Sequence, residues 1–167
     1  MADAAKGNGQ SSAPLPAVDP AQPQHLLINA QYVKDLSFEN PRAPQSLMQP
    51  AAQPEVAINV DVKAQNLGPE VYEVILTVTV NAHAQDTPIF IVELAYAAVV
   101  TVKNIPEAML PAVLLVETPR LIFPFARAII AEATRDGGFP PLMINPVDFA
   151  ELLRTQSLGS ETGAVVA

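Results

Sequence analysis

Cysteine is absent from the 167-residue chain. That excludes disulfides, thiolate chemistry and Cys-ligated metal, and it permits a cytoplasmic setting. Positive charge is scarce: nine Lys and Arg stand against seventeen Asp and Glu, for a formal net charge of -8. Nucleic-acid phosphates need a Lys/Arg patch to neutralise them, so this balance argues against a nucleic-acid partner. No stretch approaches the roughly 20 uninterrupted apolar residues of a membrane-spanning helix, and direct membrane insertion is not expected. The first residues carry Lys6 but lack the apolar segment of a secretory signal.

Catalytic motifs are missing as well. There is no phosphate-cradling GxxxxGK, no GxGxxG and no GxSxG. The two histidines, His25 and His83, lie far apart without metal-ligand spacing and read as surface groups. Asp35 and Glu39 share one face of a strand, but four residues of strand separate them by about 13 Å. That is too far for two carboxyls to work on one sugar ring. No catalytic residue, metal or cofactor is expected, and the protein is expected to act by binding.

What is present is apolar material in patterned form. Half of the residues are hydrophobic, and the length suits one domain. Residues 1–25 are rich in Ala, Gln, Ser, Gly and Pro and read as a flexible tail, as do residues 157–167. Residues 26–156 form the expected folded domain. YVKDLSFE alternates, with Leu36 and Phe38 on one face and Asp35, Ser37 and Glu39 on the other. After a Pro-punctuated loop, EVAINVDVK places Val56, Ile58, Val60 and Val62 opposite Glu55, Asn59, Asp61 and Lys63. VYEVILTVTVNA directs Tyr72, Val74, Leu76, Val78 and Val80 inward and Glu73, Thr77 and Thr79 outward. The fourth run, IFIVELAYAAVVTV, is apolar on nearly both faces. Either it is a central strand between two layers of its own chain, or subunits meet on it.

From Asn104 the period becomes helical. Pro111 should kink the first segment, and Pro124 should break LIFPF before FARAIIAEATRD runs to a stop at Gly137-Gly138. Phe125, Ile129, Ile130 and Ala133 form the expected buried stripe. Asn145 is the expected cap of a last helix, with Pro146 in its first turn. Strands followed by helices make the fold α+β: a four-stranded antiparallel sheet with C-terminal helices packed on one side.

YVKDLSFENPRAP, VYEVILTVTVNA, VELAY, LIFPFAR and GGFPPLMINPVDFAELL, in this order from about Ala30 to Leu153, together resemble the SecB family of bacterial protein-export chaperones. The resemblance implies assembly as a homotetramer, a dimer of dimers, in the cytoplasm. It implies holding of unfolded precursor proteins without ATP or any cofactor, and their delivery to the SecA motor of the translocon. The positions matching SecA contacts are Asp35, Glu39, Ile91 and Glu93. Those matching tetramer contacts are Val92, Leu94 and Tyr96. Those nearest the client-binding groove are Met48, Val56, Ile58 and Val60, although the last three have the spacing of any core strand. Read without the resemblance, the acidic positions form a solvated face, and an oligomeric scaffold or adaptor for one folded partner remains an alternative. So does an enzyme whose pocket assembles between subunits.

Overall fold

The computed structural model describes residues 22–49 and 54–161. Four strands, β1 (His25–Glu39), β2 (Glu55–Gly68), β3 (Val71–Ala84) and β4 (Thr87–Lys103), form one sheet. Its order is β1-β4-β3-β2, and every neighbouring pair is antiparallel. The sheet and helix succession expected from the sequence is therefore the fold. β2, β3 and β4 follow one another through tight turns, where Glu70 and Gln85 take positive φ. β1 lies at the far edge, so the segment from Asn40 to Pro54 must carry the chain from one edge of the sheet to the other. A short helix, α1 (Gln45–Met48), forms within it. Most of the two expected tails lies outside the described residues, although His25 already belongs to β1 and the last helix continues past residue 157 to Glu161.

Alternation fixes the two faces. Val74, Leu76, Val78, Val80 and Ala82 of β3 stand beside Ala98, Tyr96, Leu94, Val92 and Phe90 of β4, and all are buried. Helices lie over this face. A 3-10 turn (Glu107–Met109) leads through α2 (Leu110–Ala112) and a π-helical turn (Val113–Glu117) into α3 (Thr118–Asp136). The widened turn suits Thr118-Pro119. Proline has no N–H to return to the preceding turn, and the Thr118 hydroxyl donates to the Val113 carbonyl at 2.9 Å instead.

Pro124 does not break the helix. α3 runs through it, because Ile122, Phe123, Ala126 and Ile130 bury their side chains on the sheet and Pro124 itself faces solvent. Burial of four apolar side chains, at about 1.5–3 kcal/mol for each of the large ones, outweighs one lost backbone bond. The expected stripe is also rotated. Ile130 is buried, but Phe125 points outward at 51% exposure and Ile129 is half-buried.

At the end of α3, the Gly137 and Gly138 N–H groups close on Ala133 and Arg135 carbonyls, and Phe139 N–H on Thr134. The buried Thr134 hydroxyl accepts from Leu142 N–H at 2.9 Å and ties the returning chain to the helix. The last helix, α4 (Phe149–Glu161), is capped by Asp148 and not by Asn145. One Asp148 carboxylate oxygen accepts the Ala150 and Glu151 N–H groups, both at 3.0 Å, so the helix starts three residues later than expected. Phe149 then inserts edge-on against Phe123 and joins α4 to the core.

Candidate functional site

The face of the sheet away from the helices carries the acidic row. β1 loses regular pairing at two points, between Ile28 and Ala30 and between Val33 and Asp35. The second irregularity sets the phase of everything after it. Asp35 then pairs with Ala95, Ser37 with Glu93 and Glu39 with Ile91, all on the outer face. On the other side of β4, Glu93 neighbours Thr79 and Ile91 neighbours Asn81. Asp35, Glu39, Ile91 and Glu93 are thus brought together on two adjacent strands. Asp35, Glu39 and Glu93 are exposed and Ile91 is half-buried. None of the three carboxylates makes an ion pair with a described residue.

The same face holds a polar cluster that alternation did not distinguish. Glu73 was expected to point outward, and it does. It is nevertheless only 4% exposed. Lys34 Nζ donates to its two carboxylate oxygens at 2.7 and 2.9 Å, and the Tyr32 hydroxyl and the Gln65 amide donate as well. Hydrogen bonds from Lys34 and then Tyr32 hold the Glu73 carboxyl below its ordinary value. The same contact with Glu73, helped by burial, raises the Tyr32 phenol. Glu73 is covered by side chains, not by a second layer of backbone, so solvent still screens these interactions. Across this part of the sheet β4 contributes Ala95 and Ala97, whose small side chains leave room for Tyr32 and Lys34 to reach β3 over it.

Val92, Leu94 and Tyr96, expected at a subunit interface, lie on the covered face. Their exposures are 0, 1 and 7% within the single chain. This corrects the expectation of direct contact with a sister subunit, because the chain's own helices and sheet already take up their surface. β4 is a central strand of the sheet, but the chain covers only one of its faces, so it does not lie between two layers of its own chain. Its outer face is filled largely by small residues and by Glu93, which is exposed.

The positions expected to contact clients divide along β2. Val60, next to the core residue Val62, is half-buried, whereas Val56 and Ile58, on the same covered-side face, remain exposed. The helical layer stops short of that end of the edge strand. Met48 on α1 is 76% exposed. Its neighbour Leu47 lies against Gly138, so α1 leans on the turn after α3. Here Phe38, Phe90 and Phe139 form an aromatic trio, with ring centroids 4.9–6.4 Å apart. The trio was not singled out from the sequence. Its members come from β1, β4 and the turn after α3, and alternation had marked Phe38 as apolar-facing without its partners. Among the described residues no group of three or more His, Asp or Glu side chains is placed to hold a metal ion.

A helix-covered antiparallel sheet with one acidic bare face and an apolar corner left open is the frame of a protein that binds other chains. The chain belongs to the SecB family: the family model described as preprotein translocase subunit SecB matches residues 19–159. It is 48% identical over 159 residues to the protein-export protein SecB of Rhodospirillum centenum, covering 95% of this chain and 94% of that one. It is 51% identical to that of Afipia carboxidovorans, covering 83% and 86%. The protein of Parvibaculum lavamentivorans is 46% identical and covers the whole of this chain and 98% of its own. In fold, the chain is similar to the Mycobacterium tuberculosis Rv1957 SecB-like chaperone, solved in complex with a peptide from the HigA1 antitoxin. The TM-score is 0.61 at 16% identity, over 73% of this chain and 90% of that one.

Proposed function

We propose that this protein is an ATP-independent cytoplasmic chaperone. It holds unfolded precursor proteins in an export-competent state and hands them to the SecA motor of the Sec translocon, working as a homotetramer built as a dimer of dimers. The observation that carries this reading is the division of labour between the two sheet faces: Asp35, Glu39 and Glu93 gather beside Ile91 on the bare one, while the helical side leaves apolar groups open at its edge. Membership of the SecB family supports the same reading.

The acidic row is the docking site for a basic surface on SecA. Its charges act mainly on encounter and orientation, and salt weakens them. Clients bind where Met48, Val56 and Ile58 expose apolar surface next to the aromatic trio, with Val60 as the half-buried shoulder of that row. The Met48 thioether adapts to varied side chains. Subunits meet through the outward face of α3, where Leu121 and Phe125 are exposed one turn apart, and not through Val92, Leu94 and Tyr96. Repetition of the client surface in a tetramer makes second contacts intramolecular, which raises avidity by about 10²–10⁴ over one weak site. Because the unfolded client is the species bound, holding draws its folding equilibrium away from the native form.

The test is native mass measurement of the protein with an unfolded precursor, with and without SecA, using wild type, Glu93→Lys and Ile58→Asn. Glu93→Lys is expected to retain client and lose SecA. Ile58→Asn is expected to keep assembly mass and SecA while losing client. Undiminished SecA capture by Glu93→Lys refutes the docking assignment. Binding of one folded partner, with indifference to denatured chains, makes the protein an adaptor instead.

A further inference from the structure

The outer face contains a cation beside the acidic row. Lys34 immediately precedes Asp35, and the pairing irregularity between Val33 and Asp35 allows both to serve the same side of the sheet. A lysine there would oppose the charge that a basic partner is meant to feel. The structure shows where that charge goes. Lys34 Nζ is directed over β4 onto both oxygens of Glu73, two strands away, a span of about 10 Å between backbones. Tyr32 and Gln65 complete the coordination of the same carboxylate from either side. Of the other lysines on this face, Lys63 stands 3.6 Å from Asp61, and Lys103 lies at the opposite end of β4 from Glu93, paired with His25.

We propose that Glu73 is a positioning residue of the docking face: by taking up Lys34 it cancels the cation next to Asp35, so that Asp35, Glu39 and Glu93 present unopposed negative charge to a basic protein surface. This rests on the reading of that face as a docking site. Glu73 touches no partner itself. It acts through Lys34, and the small Ala95 and Ala97 of β4 make the crossing possible. The cluster would otherwise be a structural staple between β1, β3 and β2, and the two roles predict different signs.

The experiment titrates SecA onto the full-length chain at low and high salt, for Glu73→Gln, Lys34→Gln and the double variant. Glu73→Gln leaves Lys34 uncancelled and weakens capture roughly two- to fivefold at low salt, the size expected of one exposed charge. Near 1 M salt, where the Debye length is about 3 Å, the difference disappears. Lys34→Gln adds net negative charge and tightens capture, and the double variant returns to the wild-type value. A staple predicts instead that all three variants weaken capture, at any salt concentration, and that result overturns the proposal. If Glu73→Gln fails to fold, Lys34→Gln alone still decides, since weakened capture in Lys34→Gln contradicts the charge account. Should Glu93→Lys leave capture intact, the docking reading itself has failed. Loss of capture in Glu93→Lys without the pattern of signs removes only the role of Glu73.

Discussion

Leu94→Ala separates a core residue from an interface residue. Leu94 is 1% exposed in the single chain and stands between Leu36 on β1 and Val78 on β3, beneath the helical layer. Truncation removes buried methyl groups and leaves a cavity that a packed sheet can only partly close, at a cost of about 2–5 kcal/mol. With a urea slope of roughly 1–3 kcal/mol per molar, the unfolding midpoint should fall by roughly 0.7–5 M, about 2 M at mid-range values. The assay is urea unfolding at two protein concentrations tenfold apart, alongside sedimentation in the absence of denaturant. The expected result is a large drop in midpoint at both concentrations, with the assembled mass in native buffer unchanged. An unaltered midpoint together with a smaller assembly would refute the reasoning, because it would make Leu94 an intersubunit contact whose surface the chain's own core does not use.

Phe125→Asp should do the reverse: its ring is outside the single-chain core, so circular dichroism should show a folded chain while sedimentation shows a smaller species. A third expectation concerns acid. The Glu73 carboxyl is held below its ordinary value of 4.5, so the stability it contributes is fully present above that pH and is lost as pH falls through the depressed value. The stability difference between wild type and Glu73→Gln, measured by denaturant unfolding, should therefore be constant near neutrality and shrink below about pH 4.5; a difference that persists into strong acid would mean that the carboxylate charge is not its source.

The strands and their faces were legible because period-two alternation is a local property, and a half-buried sheet imposes it on each strand separately. Leu36 and Phe38 against Asp35 and Glu39, or Val74, Leu76 and Val78 against Thr77 and Thr79, need no partner to be read. The family was legible for a related reason: the motif series from Tyr32 to Leu153 keeps its order along the chain. The helical region was less so. Pro124 and Asn145 carry breaking and capping tendencies worth at most a few kcal/mol, and tertiary burial of Ile122, Phe123 and Phe149 outweighed them.

Alternation assigned Asp35 and Glu39 to one face and Ile91 and Glu93 to one face, but not to the same face. That depended on the strand order, which places β1 beside β4, and on the irregularity at Lys34, which sets the phase of their pairing. It likewise marked Val92, Leu94 and Tyr96 as apolar without saying what covers them; the chain's own helices do. Glu73, too, became distinct only when strands far apart in sequence laid Tyr32, Lys34 and Gln65 around it. The pattern of one strand is written in its own residues, whereas contact between strands depends on register and on the size of the side chains lying between them, and both exist only after the sheet has formed.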